Sequence, residues 1–143
     1  MTIATTYAKL VSLAAASSGI TTAPSGLPDQ ITDDMLPCAV TTVGEATWNE
    51  HATGLYRQVR TYQQQVFVRP IAQGMGIDAG YSACLAPMQA LGNTYVQDTT
   101  LGGTVDQVGE RGDFADGGVQ VLTWAGTPYH GFIVTLRVTE KTT

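Results

Sequence analysis

The sequence predicts an α+β fold, a largely antiparallel β-sheet with about two helices packed on one face and a long acidic, glycine-rich loop. Two observations carry this prediction. The patterns run helix, strand, long strand, helix, loop, strand, strand, so strands come in adjacent pairs instead of alternating with helices. Apolar residues recur at helical spacing in two segments, whereas the last segment alternates with a period of two. A chain of 143 residues is predicted to form a single domain, 1–143, with a real core.

The first helix is predicted over residues 3–16. Its apolar positions are separated by steps of four, three and four residues, which places them on one helical face: Ile3, Tyr7, Leu10 and Ala14. The following segment, 17–34, contains two glycines and two prolines and is predicted to be a loop. It is long for a compact domain, which favours a contact or wrapping role.

Residues 36–43 are predicted to form the first strand, and 44–54 a polar turn. Residues 55–71 then form a long second strand whose alternation is poor, because Tyr62 and Phe67 have opposite parity and three glutamines separate them. A strand that is polar on both faces indicates a protruding element or one paired at a subunit boundary. A β-bulge is expected near the glutamines.

The second helical pattern covers residues 77–95, and its apolar stripe is expected to lie on the sheet: Ile77, Tyr81, Cys84, Met88, Leu91 and Tyr95. Pro87 interrupts this pattern. Inside a helix a proline removes one hydrogen bond and clashes with the preceding turn. The segment is therefore predicted to be kinked or to form two consecutive helices.

Residues 99–118 are predicted to form the acidic loop. This segment is too poor in apolar groups to offset its ordering entropy by burial, which predicts mobility in the isolated subunit. Two strands follow, at 118–124 and 129–140, joined by a tight turn at 125–128. The last strand alternates clearly, with Phe132, Val134, Leu136 and Val138 on one side.

The net charge of −5 and the pI near 4.7 argue against a protein that grips nucleic acid through a basic face. They are compatible with a protein past which DNA moves without binding. Only 13% of the residues are charged. Thr, Gln, Gly and Ser are therefore expected to form most of the polar surface. Such a surface slightly favours a subunit that buries much of itself against neighbours.

Reactive side chains are few. Cys38 and Cys84 each lie in an apolar stretch, which predicts buried free thiols, with a disulfide between them as the alternative. His51 and His130 stand alone and are expected to be exposed or in turns. Without CxxC or HxxxH spacing we expect no metal site and no cofactor, and without a catalytic set we expect no enzyme.

The segment 74–80 gives an alternative of another class. Gly74, Gly76 and Gly80 follow a strand and open a helix, as in the dinucleotide-binding fingerprint, although the last spacing is one residue too long. A small nucleotide-binding or enzymatic domain would use this turn. If the segment binds no ligand, it is simply a flexible connection into the helix.

The C-terminal half resembles a known family. Four segments carry the resemblance, in chain order TLGGTVD at 100–106, VQVLTWAG at 119–126, YHGF at 129–132 and VTE at 138–140. They resemble the minor tail proteins of long-tailed bacteriophages, in particular the tail terminator (tail completion) group. The N-terminal half agrees more loosely, through its opening helix and Leu36, Pro37 and Cys38 at the first strand.

The resemblance implies an α+β subunit in a six-fold ring that caps the head-proximal end of the tail tube and joins it to the neck. The implied partners are other copies of the chain, the major tail tube protein and a neck protein, with DNA passing through the centre and no membrane. The implied location is the virion, assembled in the cytoplasm of the bacterial host. A neck or head-completion connector of the same particle is the alternative within this class.

Candidate contact residues follow from this interpretation. The two-faced second strand predicts a subunit interface formed by Tyr56, Gln58, Arg60, Tyr62 and Gln64. In the acidic loop, the lone cation and nearby acids predict a contact with the tail tube or neck: Asp106, Glu110 and Arg111. Asp113 and Asp116 are expected at the channel or rim, where negative charge keeps DNA from adhering.

Overall fold

The computed structural model describes residues 3–52, 55–71, 77–97, 107–108 and 114–141. The elements, in chain order, are α1 (Ile3–Ala16), a 3-10 turn (Asp33–Met35), β1 (Cys38–Ala52), β2 (Leu55–Pro70), α2 (Ile77–Ala83), α3 (Leu85–Gln97), β3 (Gln107–Val108), β4 (Phe114–Asp116), β5 (Gln120–Trp124) and β6 (Thr127–Lys141). These strands form one sheet and pair with one another in antiparallel orientation. The predicted α+β class is confirmed.

Three long strands form the centre of the sheet, in the order β1-β2-β6. Cys38 of β1 pairs with Phe67 of β2, and β2 pairs along nearly its whole length with β6. The outer edge of β6 is shared by β5, β4 and β3 in succession. Since β2 has a partner on each side, it is a central strand.

One face of the sheet, the helix-covered face, packs against α1 and α3. Its core combines Leu10 and Ala14 of α1, Leu91 and Tyr95 of α3, and side chains of β2 and β6 that include Val66. All of these are fully buried. Each large apolar side chain removed from water here contributes about 1.5–3 kcal/mol before entropy is counted.

The opposite face is divided into two halves. At one end, the loop-covered half, Ile31 and the strand β5 cover an apolar cluster that includes Phe67 and Tyr129. Phe67 contacts Trp124 and Tyr129 edge to face, with ring centroids 5.6 and 5.5 Å apart. Two hydrogen bonds attach the loop to the sheet, from Trp124 Nε1 to the Pro28 carbonyl at 3.0 Å and from Tyr129 Oη to the Ile31 carbonyl at 3.1 Å.

Toward the other end of this face, the side chains are mostly polar and are exposed or only partly buried; we call this the open half. It includes the β2 residues Arg57, Val59, Thr61, Gln63 and Gln65 and the β6 residues Thr135, Arg137 and Thr139. Arg57 and Arg137 are exposed, and the others are half-buried. The two faces of one strand therefore have different environments.

Glycine is required at two places, in the turn of the β5–β6 hairpin and where β6 approaches β2. Ala125 and Gly126 form the two-residue loop of this hairpin, with φ values of 51° and 84°, as a type I′ turn requires. A Cβ on Gly131 would lie 2.1 Å from the Val66 carbonyl oxygen. Only glycine therefore lets β6 approach β2 this closely.

The first helix is confirmed over Ile3–Ala16. The second segment forms two consecutive helices, as predicted, with the break at Cys84. Pro87 lies in the first turn of α3, where backbone N–H groups have no intrahelical partner, so the proline costs little there. The stripe prediction holds for Cys84, Leu91 and Tyr95, but it is wrong for Tyr81, which is 52% exposed.

Two predictions about the strands are wrong. Residues 44–52 are not a turn, since β1 continues to Ala52 and pairs with β2. The bulge is not at the glutamines, because the β2–β6 register is regular from Thr61 to Phe67. The register shifts instead between Val43 and Ala46 in β1 and between Phe67 and Arg69 in β2. Pairing partners, which lie far away in sequence, determine both features.

Candidate assembly surface

The far part of the β1–β2 hairpin is exposed along its β1 strand. We call residues 44–52 and 55–60 the hairpin arm. In its β1 strand, Glu45, Thr47, Asn49 and Glu50 are exposed, and the Trp48 side chain is 50% exposed. A large aromatic side chain left in water on a strand is a typical anchor for a protein partner.

The outer edge of β1 is a second exposed feature of this arm. Within the described ranges, Thr22 is its only outer neighbour, through a bridge to Cys38 and a bond from the Ala39 N–H to the Thr22 carbonyl at 2.9 Å. Beyond Ala39, the outward backbone groups of β1 have no strand beside them in the described residues. Such an edge is available to pair with another chain, and the Glu45 and Glu50 charges limit indiscriminate pairing.

The predicted interface residues Tyr62 and Gln64 instead lie in the interior of the chain's own fold. Both are fully buried on the helix-covered face. Gln64 Nε2 donates to the Leu10 carbonyl at 3.0 Å and to Thr41 Oγ1 at 3.2 Å, and Gln64 Oε1 accepts from Tyr95 Oη at 2.5 Å. Gln64 thus joins α1, β1 and α3. The prediction of an interface role is wrong for these two residues, because both side chains are buried. The hydrogen bonds of Gln64 within the chain explain why a polar residue is present there.

The other predicted interface residues lie in the arm. Gln58 is only 4% exposed, so it too is not a contact surface. Arg60 is half-buried; its Nε donates to Gln58 Oε1 at 3.1 Å and its Nη1 to the Gly44 carbonyl at 3.0 Å. The bond to Gly44 connects β2 to β1 at the β1 bulge. An interface role for Arg60 stays a prediction, and the Tyr56 side chain lies outside the described part.

In the predicted acidic loop, Asp106, Glu110, Arg111 and Asp113 lie outside the described residues. Asp116 is exposed at the end of β4, and its Oδ1 accepts from the Gly118 N–H at 3.0 Å. Its role at a channel rim stays a prediction. The segment is not wholly irregular, since β3 and β4 pair with β6.

The two thiols are buried and free, as predicted. Burial raises the pKa of the Cys38 thiol to about 11 and also raises the pKa of Cys84. A protonated, buried thiol is a poor nucleophile. Across the described ranges, no group of three or more His, Cys, Asp and Glu residues is placed to hold a metal ion.

The expectation of an exposed or turn histidine is wrong for His130, which is 9% exposed in β6. A Cβ on Gly80 would lie 2.5 Å from the His130 ring, so Gly80 of α2 serves close helix–strand packing. The His130 Nε2 atom has no hydrogen-bond partner among the described residues. The side chain of His51 and residues 72–76 lie outside the described part.

A groove of about 540 Å³ lies between the loop and the end of β2. It is lined by one acid, Asp33, and one base, Arg69, with Leu36, Pro37 and Val68 among the apolar residues. These residues could enclose a small molecule, but they do not combine a nucleophile with a base. We therefore treat the arm and the open half of the sheet as the candidate site.

Sequence reasoning missed the open half because it treated both sides of β2 as equivalent. One available signal was that Arg57 has the opposite parity to Tyr62 and Gln64, although Arg60 shares their parity. The fold and the site together define an α+β protein with an exposed hairpin arm. The chain matches no protein-family model and no curated protein. In the described residues, no helix has the length and apolar character needed to cross a membrane.

Proposed function

We propose that this chain is a structural virion protein of a long-tailed bacteriophage. In this proposal, it forms a hexameric ring that caps the head-proximal end of the tail tube and joins it to the neck. Its partners are other copies of itself, the tail tube protein and the neck protein. DNA passes through the ring without specific binding. The resemblance of the C-terminal half gives the proposal its particular form.

The hairpin arm is the observation that carries this proposal. A 15-residue edge strand with an exposed Trp48 offers both backbone pairing and an aromatic anchor to a neighbour. An isolated chain gains little from this arrangement, because an exposed edge promotes uncontrolled association. A subunit of a closed assembly uses such an edge against a defined partner.

The acidic composition is compatible with this role. A net charge of −5 disfavours retention of DNA at a ring through which a genome moves. A neck or head-completion connector of the same particle would need the same properties. The tail terminator remains our first proposal because the resemblance favours that group.

The nucleotide-binding alternative receives no support from the described part of its segment. Gly80 lies against the ring of His130, which occupies the space a ligand phosphate would require at that residue. We therefore do not develop it as a second function.

The position of the chain in particles tests the proposal. We would tag the chain at residue 143 in the genome that encodes it and reconstruct the purified particles. We expect six tagged copies in a ring between the tail tube and the neck. A chain located in the capsid or at the distal tail tip, a non-cyclic arrangement, or its absence from particles would contradict the proposal.

A pair of exposed aromatic residues tests the arm separately. Trp48→Ala should reduce the yield of joined particles by about tenfold or more, as expected for an aromatic anchor. Tyr81→Ala is the matched control, because Tyr81 is 52% exposed but lies on α2. Equal yields for the two variants would show that the arm makes no essential contact.

A further inference from the structure

The loop that covers half of the opposite sheet face has both of its ends joined at one place. We call residues 24–36 the strap. Just before it, the Thr22 carbonyl accepts from the Ala39 N–H at 2.9 Å, and the Thr22 N–H donates to the Pro37 carbonyl at 3.3 Å. The two ends therefore stay together when the segment between them moves. A surface loop whose ends are close in this way is an Ω-loop.

In the described part of the chain, no backbone hydrogen bond connects the strap to the sheet. Its own backbone bonds are those of the 3-10 turn, within residues 32–36. Two side chains of the β5–β6 hairpin hold it instead, Trp124 by donating to the Pro28 carbonyl and Tyr129 by donating to the Ile31 carbonyl. Displacing the strap therefore breaks no hydrogen bond between strands.

The strap also buries little apolar surface of its own. In this fully described segment, Ile31 is the one buried residue, and Met35 and Leu36 are half-buried against the same cluster. Leu27 is 64% exposed. On one side, the groove of about 540 Å³ lies between Leu36 and Arg69 of β2. Segments with few buried apolar contacts open at a lower free-energy cost than the whole domain unfolds.

The surface beneath the strap belongs to the sheet and is aromatic. Phe67 contacts Trp124 and Tyr129 edge to face. These residues lie on β2, β5 and β6, whose pairing does not involve the strap. Cys38 is fully buried in the same cluster. The strands beneath the strap can therefore stay paired when it is displaced.

We propose that the strap is a cover that detaches from the sheet as a unit while the strands and helices stay folded. Detachment exposes the aromatic cluster around Phe67 and joins the loop-covered half to the open half as one accessible face. The strap thereby controls access to half of this sheet face. The inference is independent of the proposed function, because it depends only on contacts within one chain.

The two cysteines distinguish detachment from global unfolding, because they lie on opposite faces of the sheet. Cys38 is buried in the cluster beneath the strap, whereas Cys84 is buried on the helix-covered face. We would treat the folded full chain with iodoacetamide and follow each thiol by mass spectrometry of its peptide. Cys38 should react at least about tenfold faster than Cys84, since detachment is more frequent than global unfolding.

Two matched substitutions provide the decisive comparison, because each removes one buried hydroxyl, from opposite faces of the sheet. Tyr129→Phe removes a hydrogen bond to the strap and should accelerate the Cys38 reaction about three- to tenfold. Tyr95→Phe removes the bond to Gln64 beneath α3 and should leave the Cys38 rate unchanged. Leu27→Ala changes an exposed strap residue and should also leave it unchanged. Thermal melts establish that each variant is folded.

Several results would overturn the proposal. A Cys38 thiol that reacts no faster than Cys84, or only in urea that unfolds the chain, would show that the strap does not detach by itself. Equal acceleration of the Cys38 reaction by Tyr129→Phe and Tyr95→Phe would show that this thiol reacts through global unfolding. An unchanged Cys38 rate in Tyr129→Phe would show that the strap is not held as described.

Discussion

The two faces of β2 contrast most clearly at three consecutive glutamines. Gln64 is fully buried on the helix-covered face, whereas Gln63 and Gln65 are half-buried on the opposite face. The three side chains are chemically identical and lie one position apart. What differs is the layer above each face, because α1 and α3 cover one side of the sheet and the polar open half lies on the other.

This comparison shows that burial changes what a polar side chain does. In water, the Gln64 amide would exchange hydrogen bonds with solvent at little net gain. In the protein interior it joins Leu10, Thr41 and Tyr95, and leaving any of them unpaired would cost free energy. Burial also raises the pKa of Tyr95 above its ordinary range, so its hydroxyl stays a hydrogen-bond donor.

The largest expected effect tests whether α3 covers its face. Leu91→Ala should lower the free energy of unfolding by about 2–5 kcal/mol, because the side chain is fully buried and its removal leaves a cavity. Val96→Ala in the same helix should change it by less than about 0.5 kcal/mol, since Val96 is 66% exposed. Urea melts measure both, and similar values would show that α3 does not pack as described.

The glutamines themselves provide the next test. Gln64→Ala should cost about 2–4 kcal/mol, since it creates a cavity and leaves buried hydrogen-bonding groups without their partner. Gln63→Ala and Gln65→Ala should each cost less than about 0.5 kcal/mol. The same urea melts apply. Equal costs at the three positions would remove the distinction between the faces.

A pH titration tests the burial of the loop-covered half of the opposite face. Cys38 belongs to its loop-covered half, and burial raises its pKa to about 11. The unfolded thiol ionises near 8.5, so this stabilisation is fully present below that pH and is lost as pH rises toward the folded pKa. At about pH 10.5 the loss should be about 2 kcal/mol.

Other groups also titrate in this range, so the control is Cys38→Ala. Unfolding free energies at about pH 8 and pH 10.5 should decrease more for the wild type than for this variant. If the two chains lose equal stability, Cys38 is not shielded by the loop.

The smallest expected effect concerns the two tryptophans. Trp48→Ala should lower the stability of the isolated chain by less than about 1 kcal/mol, because half of this side chain is already in water. Trp124→Ala should cost more, since Trp124 contacts Phe67 and donates to Pro28. Chemical melts compare the two. A larger loss for Trp48 would place the arm within the core instead of beyond it.

Local patterns predicted a substantial part of this fold. The boundaries of α1, the two consecutive helices after residue 77 and the final hairpin all follow from apolar periodicity, Pro87 and the turn at 125–128. The continuation of β1 through 44–52 could not be predicted, because those residues are polar and become a strand through pairing with β2. For the candidate site, an interface on the second strand stays a prediction, and three of its five named side chains, Gln58, Tyr62 and Gln64, are buried within the chain.

By itself, the sequence determined the class of fold, the burial of both cysteines and the alternation that separates Gln64 from its neighbours. A strand with a period of two assigns residues to two sets, but it does not state which set a helix will cover. Only the tertiary structure decided this, by placing α1 and α3 over Gln64 and leaving Arg57 exposed. The physical reason is that side-chain direction is a local property of the backbone, whereas burial depends on residues distant in the chain.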